Sequence, residues 1–149
     1  MCIVLCSDES YPVHDLVRGL LEARGHSVVA FGSVKTGKET PWAEVAEQAA
    51  LSVARGECDE GIFFCWSGTG ISMAANKVAG VRAALCGDPG AARAARIWNH
   101  ANVLCLSNRT LSTDMAKEML EAWFETDPGT AGADGVQRLN AVDERHRRA

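Results

Sequence analysis

Residues 61–86 read GIFFCWSGTGISMAANKVAGVRAALC. The opening segment, Gly61–Cys65, is short and apolar without polar alternation, the pattern of a strand buried on both faces. A turn carrying Gly68 and Gly70 follows, and the alanine-rich stretch after it predicts a helix to about Val78. Val81–Cys86 supplies the next strand. A strand that passes through a glycine-rich turn into a helix and then another strand is a parallel β–α–β unit.

The same alternation extends in both directions. Cys2–Cys6 (CIVLC) is a strand of the same buried kind. Pro12 opens a helix to Arg24, with Leu16, Leu20 and Ala23 inward and Gly25 as the stop. Ser27–Phe31 is a second strand, and Gly32–Thr40 reads as a polar loop. Pro41 opens a helix whose apolar face is Val45, Ala46, Ala49 and Val53. Asp88 and Pro89 cap and open a helix through about Trp98. Asn102–Leu106 is the fifth strand. Ser112 or Thr113 starts a helix with Met115, Met119, Ala122 and Trp123 on one side. The expected fold is α/β: a three-layer Rossmann-like fold with a five-stranded, mostly parallel sheet, helices on both faces and a C-terminal helical tail. Residues 1–128 form the domain. Residues 129–149, Gly/Asp-rich and then basic, form a tail expected to pack on a partner subunit. Right-handed crossovers gather the loops that follow the strands on one edge, where ligands bind in such sheets.

Composition narrows the function. A chain of 149 residues suits one domain, and 47% hydrophobic with 23% charged residues excludes a disordered one. The net charge of -4 lacks the basic surplus of a nucleic-acid binder. The first residues, MCIVLCSDES, carry no basic segment, and their apolar run is too short for a signal peptide. No apolar stretch approaches the ~18 residues of a membrane span. The expectation is a cytoplasmic protein with reduced thiols and no membrane partner. Cys2, Cys6, Cys58, Cys65, Cys86 and Cys105 form no CxxC, and the four histidines are dispersed, so neither a metal site nor a cofactor is expected.

The turn after Cys65 is where chemistry is legible. Gly68 and Gly70 let backbone amides face outward, and with the helix dipole those amides make an anion or oxyanion cradle. Cys65 stands beside it as a base or nucleophile, and Ser67 adds a hydroxyl. Familiar phosphate motifs fail here. There is no GK[ST], no third glycine after Gly68-Thr69-Gly70, and Ile71 stands where a Cys-x5-Arg loop needs arginine.

The central run resembles the signature of the sugar-phosphate isomerases that include ribose-5-phosphate isomerase type B and galactose-6-phosphate isomerase. In that family a strand ends in Cys before a Gly-rich turn, and Ala-Ala-Asn-Lys precedes Gly-x-Arg-Ala. Ala74-Ala75-Asn76-Lys77 and Gly80-Val81-Arg82-Ala83 stand at that spacing. Ser7-Asp8, the Asn99 to Leu104 segment and Arg109 extend the likeness over nearly the whole chain. The resemblance implies an aldose–ketose isomerisation through a cis-enediolate. It assigns Cys65 as base, Ser67 as proton shuttle and the amides of Gly68, Thr69, Gly70 and Ile71 as oxyanion cradle. Asp8 then contacts sugar hydroxyls, Asn99 contacts substrate, and Arg109 and Arg138 bind phosphate. It also implies a homodimer with shared active sites.

Several positions depart from the family pattern. Glu9 replaces a phosphate-holding histidine, and a carboxylate there repels an anion. Asp134 falls where one of two phosphate arginines is expected. Trp98 replaces the histidine that opens the sugar ring, and an indole N–H cannot act as a base. His100, two positions on, is the candidate replacement. Trp66 replaces a small residue, and Trp42 falls near a family tyrosine. The substrate readings are therefore ribose 5-phosphate or a tetrose 4-phosphate, which needs no ring opening. The residue-level alternatives are a non-catalytic sugar-phosphate-binding subunit of a hetero-oligomer and, on fold alone, a flavodoxin-like nucleotide binder. Lastly, residues 65–112 carry one acid, Asp88, against Lys77, Arg82, Arg93, Arg96 and Arg109, a basic island expected around the phosphate.

Overall fold

The computed structural model describes residues 1–147. Among them, β1 (Cys2–Ser7), α1 (Pro12–Ala23), β2 (Ser27–Gly32), α2 (Ser33–Thr36), α3 (Trp42–Ala54), β3 (Glu60–Cys65) and α4 (Thr69–Ala75) follow in order. They continue with β4 (Ala83–Leu85), α5 (Pro89–Asn99), β5 (Val103–Ser107), α6 (Thr113–Glu125) and α7 (Ala133–His146). Every strand pairing is parallel, in the order β2-β1-β3-β5-β4. The winding reverses between β1 and β3. Their carboxyl ends are thus the place where an open α/β sheet receives a ligand.

Two apolar layers follow from the period-2 alternation of buried strands. Ile3, Leu5, Ile62, Phe64, Leu104 and Leu106 pack against α1, α5 and α6. Val4, Cys6, Phe63, Cys65, Val103 and Cys105 pack against α3 and α4. Asp88 caps α5 by accepting from the Ala91 amide at 2.8 Å, and Ser112 caps α6 through the Met115 amide at 3.1 Å. No described helix is long and apolar enough to cross a membrane.

Four expectations need correction. The buried face of α1 is His14, Val17 and Leu21; Leu16 and Leu20 only flank it and Ala23 is exposed. Residues 32–40 contain the short helix α2, because Ser33 Oγ donates to the Ser7 carbonyl at 3.0 Å and the Thr40 amide to the Asp8 carbonyl at 2.9 Å. Helix α4 stops at Ala75 and β4 begins only at Ala83. The Asn76 side chain bonds both the amide and the carbonyl of Ala83, at 2.8 and 2.9 Å, and closes the intervening turn. Finally, Cys2 and Cys58 form a disulfide rather than two reduced thiols. Cys2 and Asp59 exchange hydrogen bonds at 2.7 and 2.9 Å, which brings the two cysteine Cα atoms to 4.7 Å, inside the disulfide range. Cys6, Cys65, Cys86 and Cys105 are buried free thiols.

Candidate active site

Cys65 ends β3, is 5% exposed, and faces the α3–α4 layer beside Cys6 and Cys105. Burial pushes the Cys6 and Cys105 thiols well up, so both are neutral neighbours. Immediately after Cys65 the chain turns into α4. Gly68 sits at φ +82°, and a Cβ there would lie 2.5 Å from a Leu85 methyl carbon, so only glycine makes this turn. The first intrahelical donor of α4 is the Ser72 amide, to the Gly68 carbonyl. The amides of Gly68, Thr69, Gly70 and Ile71 therefore have no partner within the helix. Ser67 Oγ lies 2.6 Å from Thr69 Oγ1, a pair of exposed hydroxyls beside these amides.

Strand register brings two further loops to the same edge. Ser7 pairs with Phe64, which puts Asp8 level with Cys65, and Cys65 in turn pairs with Ser107. Asp8 accepts the Glu9 amide at 2.9 Å. Burial, with the nearby carboxylates of Glu9 and Glu39, raises the Asp8 pKa above its ordinary 3.8. Glu9 accepts from Tyr11 Oη at 3.1 Å. Beyond β5, the Asn108 and Arg109 amides donate to the carbonyls of Cys65 and Trp66 at 2.9 and 3.1 Å. Arg109 makes no ion pair among the described residues, and with Ser67, Gly87, Ser107 and Thr110 it lines a cavity of about 340 Å³. The edge is thus polarised, acidic at Asp8–Glu9 and basic at Arg109.

Aromatic rings also stand at this edge. Trp42 lies against Gly70 so closely that an added Cβ would approach the indole to 3.0 Å. Tyr11 and Trp66 stand with ring centroids 6.3 Å apart. Trp66 and Trp42 are 54% and 47% exposed, which is unusual for so large an apolar surface unless something covers it.

Not every expected site residue joins this cluster. Trp98, Asn99 and His100 end α5 at the opposite, amino edge of the sheet. There Asn102, two residues past His100, accepts the Gly61 amide at the start of β3. Gly61 and Cys65 are four residues apart, or about 13 Å at strand rise. Asn99 shares a cavity of about 500 Å³ with Leu139, Asn140 and Asp143 of α7, the helix that carries Arg138. Arg138 is paired with Asp134 at 3.0 Å on an exposed helix face. The basic island also divides. Arg82 Nε donates to the His100 carbonyl at 2.9 Å, and Arg96 Nη1 donates to the Ala101 carbonyl at 2.7 Å. Both arginines brace the turn at the amino edge, and of the five basic residues only Arg109 lines the cavity shared with Ser67.

Two further polar residues, His14 and Asn108, are buried beneath the site and belong to no motif of the sequence. Their only sequence signal is polarity at positions that α1 and the end of β5 turn inward.

Chemically, the carboxyl edge offers one thiol, two paired hydroxyls, a carboxyl group, a free guanidinium and the amides of Gly68, Gly70 and Ile71, which have no partner among the described residues, while the Thr69 amide donates to Ser67 Oγ at 3.4 Å. That set suits proton transfer next to an oxyanion. A model of the ribose/galactose isomerase family matches residues 3–142. Ribose-5-phosphate isomerase B of Escherichia coli is 38% identical over 133 residues, 89% of this chain and 88% of that protein. The D-erythrulose-4-phosphate isomerase of Pectobacterium atrosepticum is 31% identical over 128 residues, covering 85% and 84%. The structure of Clostridium thermocellum ribose-5-phosphate isomerase B superposes with a TM-score of 0.91 at 33% identity, over 99% of this chain and all of that one. The chain is a sugar-phosphate isomerase and belongs to the ribose/galactose isomerase family.

Proposed function

We propose that the substrate is an open-chain aldose phosphate of tetrose size, isomerised to its ketose through a cis-enediolate. Cys65, as thiolate, takes the proton from the carbon beside the aldehyde, and the electron pair moves onto the carbonyl oxygen. The amides of Gly68–Ile71 stabilise that oxyanion. The Ser67 hydroxyl, coupled to Thr69, carries the hydroxyl proton between the two oxygens, and Cys65 returns its proton to the terminal carbon. Asp8 receives sugar hydroxyls, and Arg109 takes the phosphate at the opposite pole.

The observation that carries the substrate size is at the end of α5. Opening a sugar ring needs a group that exchanges a proton with the ring oxygen. Trp98 offers only an indole donor. His100 Nε2 is buried and has no hydrogen-bond partner among the described residues. A tetrose with phosphate on its last oxygen cannot close a five-membered ring and does without such a group. The similarity to a D-erythrulose-4-phosphate isomerase supports the same reading.

The functional unit in this reading is a homodimer. Trp98, Asn99 and Arg138 lie on the edge away from Cys65 of their own chain, so they serve a site only if a second copy presents them. Helix α7 buries none of its residues and leaves Leu139 and Val142 about half exposed, surface suited to that contact.

The test is an isomerisation panel on purified protein: ribose 5-phosphate, allose 6-phosphate, galactose 6-phosphate, erythrose 4-phosphate and erythrulose 4-phosphate. Turnover of the tetroses well above that of the others is the expected result. Equal rates on ribose 5-phosphate would remove the open-chain reading.

A further inference from the structure

Under the active-site loops runs a directed chain of hydrogen bonds, fully buried in its central two links and half-buried at its ends. The Tyr11 amide donates to His14 Nδ1 at 3.3 Å, so Nδ1 is the acceptor nitrogen and the ring proton sits on Nε2. Nε2 then donates to Asn108 Oδ1 at 2.7 Å. That fixes the Asn108 amide, whose Nδ2 donates to Ser7 Oγ at 3.1 Å. Ser7 Oγ in turn donates to the Glu9 carbonyl at 2.6 Å. Ser7, His14 and Asn108 are 0%, 4% and 8% exposed. Burial holds the His14 imidazole below its ordinary pKa, in agreement with the neutral tautomer.

The place of this chain in the topology is informative. Strands β1 and β5 are not neighbours, because β3 lies between them. The Asn108 side chain reaches across the end of β3 to Ser7, while the Asn108 backbone amide donates to the Cys65 carbonyl at 2.9 Å. The His14 ring packs on Phe64 with centroids 4.7 Å apart. One residue thus ties together the Asp8–Glu9 loop, the start of α1 and the backbone of Cys65. An apolar pair of similar shape would fill this space at little cost in stability, whereas the polar chain fixes a geometry.

We propose that Asn108 and His14 are positioning residues that hold Cys65 and Asp8 in their mutual register. The proposal rests on the reading of Cys65 and Asp8 as groups that act on the substrate.

The experiment compares Asn108→Ala, His14→Leu, the double variant His14→Leu/Asn108→Ala, and His14→Gln. Each is measured for Tm, kcat and KM with erythrose 4-phosphate and ribose 5-phosphate. Each single apolar variant strands a buried polar partner and lowers Tm, and the double variant recovers most of that loss. In all three, kcat falls by about tenfold or more with little change in KM, the signature of a displaced reacting group. His14→Gln retains an acceptor and a donor and restores kcat toward the wild-type value. A double variant that regains wild-type kcat along with Tm would show a merely structural chain and overturn the proposal, as would single variants with unchanged kcat. A Cys65→Ala control with wild-type turnover, or a wild type inactive on both sugars, would instead remove the underlying site reading, and the proposal with it.

Discussion

Glu60 Oε1 lies 2.8 Å from Arg96 Nη1, with both side chains about one-tenth exposed. The other Glu60 oxygen accepts from Trp123 Nε1 at 2.7 Å, and the Arg96 guanidinium lies 4.8 Å above the Trp123 ring. This cluster joins β3, α5 and α6 at the amino edge. Through the Ala101 carbonyl it also braces the turn that presents Trp98 and Asn99.

Removing one member of a pair this buried leaves an uncompensated charge, at a cost of about 3–5 kcal/mol. Arg96→Met should therefore lower Tm by on the order of 10 °C in a chain of this length. Calorimetry of Arg96→Met beside Glu60→Gln checks this. A Tm within about 2 °C of wild type for Arg96→Met would mean that the pair is solvated, as exposed ion pairs are.

Asp8 works in the other direction. Its native pKa is raised by burial and by Glu9 and Glu39, so the folded state binds its proton more tightly than the unfolded chain does. Stability from this group is then lost as pH rises from 3.8 through the raised native value, and at neutral pH the carboxylate costs stability. Asp8→Asn should raise Tm at pH 7 while lowering turnover, a pattern common to functional groups held in unfavourable surroundings. The Tm gain should shrink toward pH 3.8. Thermal melts of both proteins from neutral to acidic pH measure it. A gain independent of pH would assign it to packing instead.

Arg109 makes no ion pair among the described residues and, in the proposed binding mode, takes the phosphate at the end of the substrate away from the reacting carbons. A phosphate contact remote from the reacting carbons contributes binding to ground state and transition state alike. Arg109→Ala should raise KM about tenfold or more, with kcat changed far less. Steady-state kinetics with erythrose 4-phosphate decides this, and a selective fall in kcat would place Arg109 at the reacting centre.

The legibility of this chain in sequence varied with the range of the interaction. Gly61–Cys65 and the Gly68–Gly70 turn were readable because a buried strand and a left-handed turn are local demands on residue type. The caps at Asp88 and Ser112 were readable for the same reason. In helix α1 the apolar pattern at Leu16 and Leu20 lies one position from the buried stripe at Val17 and Leu21. Its stripe includes His14, and a polar residue hides a buried face from a hydrophobicity pattern. The Cys2–Cys58 bond and the Glu60–Arg96–Trp123 cluster join residues far apart in sequence, and only the strand order brings them together. The position of Trp98 on the edge opposite Cys65 follows from the direction of α5. That direction was implied by the alternation of strands and helices, but the distance to Cys65 was not apparent until the elements were assembled.

The central claim is that Cys65 moves the proton between adjacent carbons. Its most direct test is proton NMR of erythrose 4-phosphate in deuterated water with wild type and with Cys65→Ala. Calorimetric titration of the same sugar reports affinity in parallel. The account predicts rapid exchange at the carbon beside the aldehyde with wild type and none above background with Cys65→Ala, while affinity stays close to the wild-type value. Exchange at the wild-type rate in Cys65→Ala would contradict it and move the base to another residue.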